Sequence, residues 1–229
     1  MTAELIVRAS MGALSGLNEL APAFTRRTGH RLIIQKETRD ELEQRLMSNA
    51  PTDLIVQTTS VMDGVIGRGK VVEGSSTIFA RAAVGLSVKS GVPWPDISTP
   101  EAFKRTLLDA KSICYSLGGS GIVAARAIEK LGIAEQMKSR TVHSDGTPAA
   151  GYVARGEVEI AIQQLNVSTP VVGTDYVGDL PGDLHEYVVF AVAIMPVGKE
   201  QEAAKAFIKF VASPEAGALL QKGMMEPAR

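Results

Sequence analysis

The chain has 229 residues, 45% of them hydrophobic and 21% charged, with a formal net charge of -1. That is length enough for one large core or two modest ones, and the ordinary composition argues for a globular protein. Lys and Arg are scattered rather than banked into a stripe, so the electrostatic footprint of a nucleic-acid or membrane-surface binder is missing.

Short apolar runs alternate with helical patterns along the chain, which predicts an α/β layered fold. Glu4 to Ala9 (ELIVRA) reads as a buried strand. The turn Ser10-Met11-Gly12 leads into a helix with apolar positions Leu14, Leu17, Leu20 and Phe24, stopped by Gly29. Strands are expected at Arg31 to Gln35 and Asp53 to Gln57, with a helix from about Asp40 to Ser48 between them. Ser60 to Gly67 reads as a short helix, and Thr77 to Val88 as two strand-like pieces. After the loop GVPWPDIS, Thr99 caps a helix with Pro100 in its first turn, ending near Leu108. Lys111 to Ser116 is strand-like and runs into Gly118-Gly119-Ser120-Gly121 and an Ala-rich helix that stops at Gly132. Arg140 to His143, Glu159 to Gln163 and Val188 to Pro196 read as strands, Thr147 to Arg155 as a helix. Helices at Glu200 to Val211 and Pro214 to Lys222 close the chain. Two α/β units of about a hundred residues each fit this element count.

Five segments in the same order resemble the solute-binding proteins of ABC importers, in particular the molybdate-binding branch. They are LIVRASMGALSGLNELAPAFTRRTG, APTDLIVQTT, GKVVEGSSTIFARAAVGLSVKSG, SGIVAARAIEKLGI and AAKAFIKFVASPEAGALL. The resemblance implies a two-lobed periplasmic-binding-protein-like fold of type II, with the ligand cleft between the lobes and closure about a hinge at the crossing strands. It implies residues 1–82 and 185–229 in a first, discontinuous lobe and 83–184 in the second. It further implies a small anion as ligand, an ABC permease and ATPase as partners, a monomer, and no nucleic acid, cofactor or metal.

The same resemblance, joined to helix-start chemistry, nominates the ligand residues. Ser10, with Met11 beside it, stands at the first ligand serine, where it also suits a helix cap. A run of serines is expected next, and this chain has Glu37-Thr38-Arg39-Asp40 instead. Thr38 or Arg39 then takes the ligand position, and an arginine there favours a carboxylate, unless it is simply a solvated first-turn residue. Ser120 and Gly121 open the middle-lobe helix, and Gly146 and Thr147 open another. Gln164 stands where that branch has a tyrosine, and Arg81 in the crossover is a further anion partner.

Two expected hydroxyl ligands are thus replaced, so the anion is either an oxyanion such as molybdate or tungstate or an organic acid. The alternative to a binding protein is an isomerase of di- or tricarboxylates, similar to aconitate isomerase. Arg39 and Arg81 would be its cations, with Asp40, Glu37 or Asp145 as base. The three histidines lie far apart without metal-site spacing, and no nucleotide loop or GxSxG elbow is present. Cys114 reads as a buried thiol. MTAELIVRASMGAL lacks a signal-peptide pattern, so the expected location is periplasmic if a signal was removed and cytoplasmic otherwise.

Overall fold

The computed structural model describes residues 2–227; residues 1, 228 and 229, at the ends of the expected first lobe, lie outside the described residues. In chain order the elements are β1 (Glu4–Ala9), a 3-10 turn (Met11–Ala13), α1 (Leu14–Thr28), β2 (Arg31–Lys36), α2 (Arg39–Ser48), β3 (Leu54–Thr58), α3 (Thr59–Gly67) and β4 (Thr77–Lys89). There follow α4 (Pro100–Asp109), β5 (Ile113–Ser116), α5 (Gly119–Lys130), α6 (Ala134–Lys138), β6 (Thr141–Ser144), α7 (Ala149–Ala154), β7 (Ile160–Gln164), α8 (Leu165–Ser168) and β8 (Thr174–Asp179). A second 3-10 turn (Gly182–Leu184), β9 (Tyr187–Ile194), α9 (Gln201–Val211), α10 (Pro214–Lys222) and β10 (Glu226–Pro227) complete the chain.

The local signals act as their chemistry requires. Gly29 ends α1 in the left-handed conformation at φ 78°, which costs glycine nothing. The Thr99 hydroxyl accepts the Ala102 amide at 3.1 Å, with Pro100 at the first helical position. Three readings change. The two strand pieces expected over Thr77 to Val88 are one strand of 13 residues. The helix expected from Thr147 begins at Ala149, because Pro148 disfavours helical backbone in the residue before it. And α6, α8 and β8 were not anticipated.

The chain divides into two compact units, the first holding the residues up to Arg81 and from Val189, the second Ala82–Val188. In the first unit β1 lies between β2 and β3, parallel to both, and β9 runs antiparallel to β3. One face carries α1, whose Phe24 meets Phe207 and Phe210 of α9 with ring centroids 5.1 and 5.7 Å apart. A second apolar cluster joins Leu42 and Leu46 of α2, Ile55 of β3 and Met62 and Val65 of α3. The buried Asp53 carboxylate accepts the Ile6 amide at 2.7 Å and the Glu200 amide at 2.9 Å, pinning β1 to the approach to α9.

The connection through α1 places β2 on one side of β1, and the connection through α2 places β3 on the other. The carboxyl ends of β1 and β3 therefore form a topological switch point, where open α/β sheets bind ligands. The second unit repeats the device. Its β5 is flanked by parallel β6 and β7, reached through α5–α6 and α7 respectively, so a switch point lies at the carboxyl ends of β5 and β7. Strand β4 borders β7 and β8, antiparallel to each.

Candidate functional site

In the first unit Ser10 leaves the carboxyl end of β1, its amide bonded to the Val56 carbonyl of β3 at 3.0 Å. It stands at the cap position of the 3-10 turn, but its side chain makes no capping bond, and the hydroxyl is buried without a partner. A buried polar atom left unpaired is uncommon and asks for an explanation. Met11 follows, half-buried. At the end of β3, Thr58 heads α3 and likewise makes no side-chain cap; its hydroxyl lies 3.2 Å from that of Ser60.

Arg8 is the residue on this edge that sequence reasoning passed over. It is half-buried, and its Nε is enclosed without an acceptor. Its charge reaches the start of α2: the Glu41 carboxyl is held below the ordinary range by the Thr38 backbone N–H and hydroxyl, helped by the charges of Lys36 and Arg8.

The Glu37–Asp40 segment is arranged differently from the expectation. Thr38 is consumed by a capping box: its amide and hydroxyl donate to Glu41 at 2.7 and 2.9 Å, and its Oγ1 accepts the Glu41 amide at 3.3 Å. The capping box commits the hydroxyl to the start of α2. Arg39 is exposed at the first position of α2, which is the solvated-arginine alternative. Glu37 is buried and clamped by Arg45, Nε to Oε1 at 2.5 Å and Nη2 to Oε2 at 3.0 Å. Arg81 is paired with Glu226, Nη2 to Oε2 at 2.7 Å, across the β4–β10 pairing, a partner 145 residues away that the sequence did not suggest.

In the second unit β5 ends at Ser116, level with Ser144 at the end of β6. The turn into α5 is tight: a Cβ on Gly121 would sit 1.5 Å from the Ser116 carbonyl oxygen. Gly121 thus serves strand-to-helix packing, while the Gly118 amide donates to Ser116 Oγ at 3.2 Å. Helix α5 has no side-chain cap, so its first-turn amides near buried Ser120 offer donors along the dipole.

The Ser144 hydroxyl is buried without a partner, as Ser10's is in the first unit. Gly146 turns the chain at φ 94° ahead of α7 rather than opening it. Thr147 donates to Asp145 Oδ1 at 3.2 Å, and Tyr152 Oη donates to the same oxygen at 3.0 Å. Those bonds, Tyr152's first, hold the Asp145 carboxyl below the usual carboxylate range. Gln164, 6% exposed, ends β7 at the switch point with no cap bond from its side chain. The second-unit edge thus carries Ser120 in the first turn of α5, Ser144 at the end of β6 and Gln164 at the end of β7, and gives Gly121, Gly146 and Thr147 to the turns.

Elsewhere His30 accepts the Ala3 amide at Nδ1, and His143 packs edge-on against Tyr115. Cys114 is fully buried and its thiol is pushed up to about 11, chiefly by desolvation. Among the described residues no group of three or more His, Cys, Asp or Glu is placed to hold a metal ion, and no helix is long and apolar enough to cross a membrane.

Comparison with known proteins agrees with this topology. The chain is 30% identical over 231 residues to an aconitate isomerase from a Pseudomonas species, covering 97% of this chain and 87% of that one. It is 25% identical over 223 residues to the molybdate-binding protein ModA of Azotobacter vinelandii, covering 93% and 86%. The solved structure of an Azotobacter vinelandii periplasmic molybdate-binding protein superposes with a TM-score of 0.82 at 18% identity, over 98% of this chain and all of that one, which establishes the periplasmic-binding-protein fold. Residues 5–224 match the bacterial extracellular solute-binding proteins, and the chain belongs to that family.

Proposed function

We propose that the chain captures a small anion at the carboxyl edges of its parallel strands and delivers it to an ABC importer outside the cytoplasmic membrane. The observation that carries this is a matched pair of buried, unpartnered hydroxyls. Ser10 and Ser144 each close a parallel strand at the carboxyl edge of its own unit. Around Ser144 the uncapped start of α5 and the Gln164 amide add neutral donors, and Arg8 adds positive charge beside Ser10. Hydroxyls and amides with one cation are a set for negative oxygen atoms, not for metals or apolar solutes. In this reading the chain acts as a monomer and hands the anion to a permease and its ATPase, in keeping with the family it belongs to.

A second reading, isomerisation of a tricarboxylate, is favoured by the relative named aconitate isomerase. It needs a base. With Glu37 clamped, Asp40 and Asp145 remain from the expected set, and the bonds that keep Asp145 ionised also weaken it as a proton acceptor.

A thermal-melt panel tests both readings, using molybdate, tungstate, sulfate, phosphate, citrate and both aconitate isomers. A ligand at a hundredfold excess over Kd adds about 2.7 kcal/mol to the folded state. One or more anions should raise the melting temperature, and a panel without any shift contradicts the proposal. Incubating a stabilising carboxylate with the protein and finding it converted would replace transport by catalysis.

A further inference from the structure

We propose that Arg8 is the ligand cation of the first unit, gripping two oxygens of the bound anion through its guanidinium fork. This rests on the anion-binding reading and names the residue that meets the anion's charge.

Side chains alternate across a strand. Leu5, Val7 and Ala9 are fully buried on one face of β1, so Ile6 and Arg8 share the other with Ser10 beyond the strand end. Arg8 is in register with Ile55 of β3, which belongs to the apolar cluster under α2 and α3. An arginine on a covered face is there either to meet a fixed carboxylate or to meet something that arrives.

The fixed carboxylates near it are occupied. Both Glu37 oxygens are taken by Arg45. Glu41 Oε2 is taken by the Thr38 amide and hydroxyl. Arg8 Nε is left desolvated and without an acceptor, two residues from the equally unpartnered Ser10 hydroxyl. Two enclosed donors at one switch point, on one strand face, are the complement of an oxygen ligand.

The Nε–Nη edge of a guanidinium presents two parallel N–H groups, which match a pair of oxygens on a carboxylate or on a tetrahedral oxyanion. The arginine that sequence pattern nominated for this task, Arg39, is exposed at the first position of α2. Arg8 takes its place.

The test is calorimetric titration of the wild-type protein, Arg8→Gln, Arg8→Lys and Ser10→Ala with citrate, both aconitate isomers, molybdate, tungstate and sulfate. The wild type should bind at least one member of the panel. Arg8→Gln should weaken the tightest-bound anion at least tenfold, the order of a lost charge-assisted bidentate contact. Arg8→Lys, which keeps the charge but loses the fork, should fall between. Binding of that anion unchanged in Arg8→Gln and Arg8→Lys but lost in Ser10→Ala overturns the role of Arg8 and leaves the anion site standing. A wild type that binds no member of the panel removes the anion reading itself, and this inference with it.

Discussion

Removing Arg45 should be among the most damaging single changes in the first unit. Its guanidinium and the Glu37 carboxylate form a bidentate pair with side chains 6% and 1% exposed. At about 3 Å and an effective dielectric near 20, their attraction is on the order of 5 kcal/mol, comparable with the cost of taking both ions out of water. The pair is thus near neutral overall, but either partner alone is a buried, uncompensated charge. Arg45→Met should destabilise the protein by about 3–5 kcal/mol, whereas Glu37→Leu/Arg45→Met should recover most of that loss. In urea, where unfolding slopes are about 1–3 kcal/mol per molar, the single variant should move the midpoint by at least about 1 M. A loss below about 1 kcal/mol in Arg45→Met, or a double variant as damaged as the two singles added together, refutes the reasoning.

Gly121→Ala should cost about 2–4 kcal/mol or prevent soluble accumulation, because its Cβ would meet the Ser116 carbonyl oxygen at 1.5 Å. Gly118→Ala, whose Cβ meets only Ser116 Oγ at 3.5 Å, should cost under about 1 kcal/mol, and equal losses in urea unfolding contradict this packing account. Thr38→Ala should lose about 1 kcal/mol of stability with the capping box yet keep ligand affinity within about twofold; a large affinity loss would return Thr38 to the site. The Asp145 carboxyl, followed by NMR, should titrate below an ordinary aspartate, and Tyr152→Phe should raise it. Because the folded value is the depressed one, its contribution to stability is present above the unfolded pKa and is lost as pH falls through the folded value. An Asp145 titration unmoved by Tyr152→Phe counts against the hydrogen-bond cause.

Much of the framework was legible because strand and helix periods differ and the stops are glycines and prolines. Glu4–Ala9 and the helices after Thr99 and Ser213 carry their pattern or their cap in a few adjacent residues. β4 was harder. It is buried almost throughout, so alternation vanishes, and Gly85 interrupts it because a Cβ there would lie 2.1 Å from the Gly178 carbonyl oxygen. β8, TDYVGD, has the composition of a loop and pairs only through its place beside β4.

At the site, Ser10, Ser120 and Gln164 could be nominated because each stands at a strand end or in the helix start that follows one. Ser144 was hidden at the end of the unremarkable run TVHS, with nothing local to show that its hydroxyl is enclosed. Thr38 with Glu41 three residues on is the capping-box signature, a local signal that the ligand reading of Thr38 did not weigh. Arg8 was passed over because an arginine between apolar strand residues reads as a solvent-facing position, and only α2 and α3 packed over that face change the reading. The Arg81–Glu226 pair depends on a return of the chain that no local pattern announces.

The central claim, that enclosed hydroxyls at the carboxyl ends of parallel strands bind an anion, is tested most directly by titrating a single stabilising ligand into Ser10→Ala and Ser144→Ala. Each substitution removes one neutral donor, worth about 0.5–1.5 kcal/mol and more where the acceptor is charged, so a hydroxyl that meets the ligand should cost about tenfold in affinity while leaving unfolding stability nearly unchanged. At least one variant should show that loss; both variants binding as the wild type does would contradict the account.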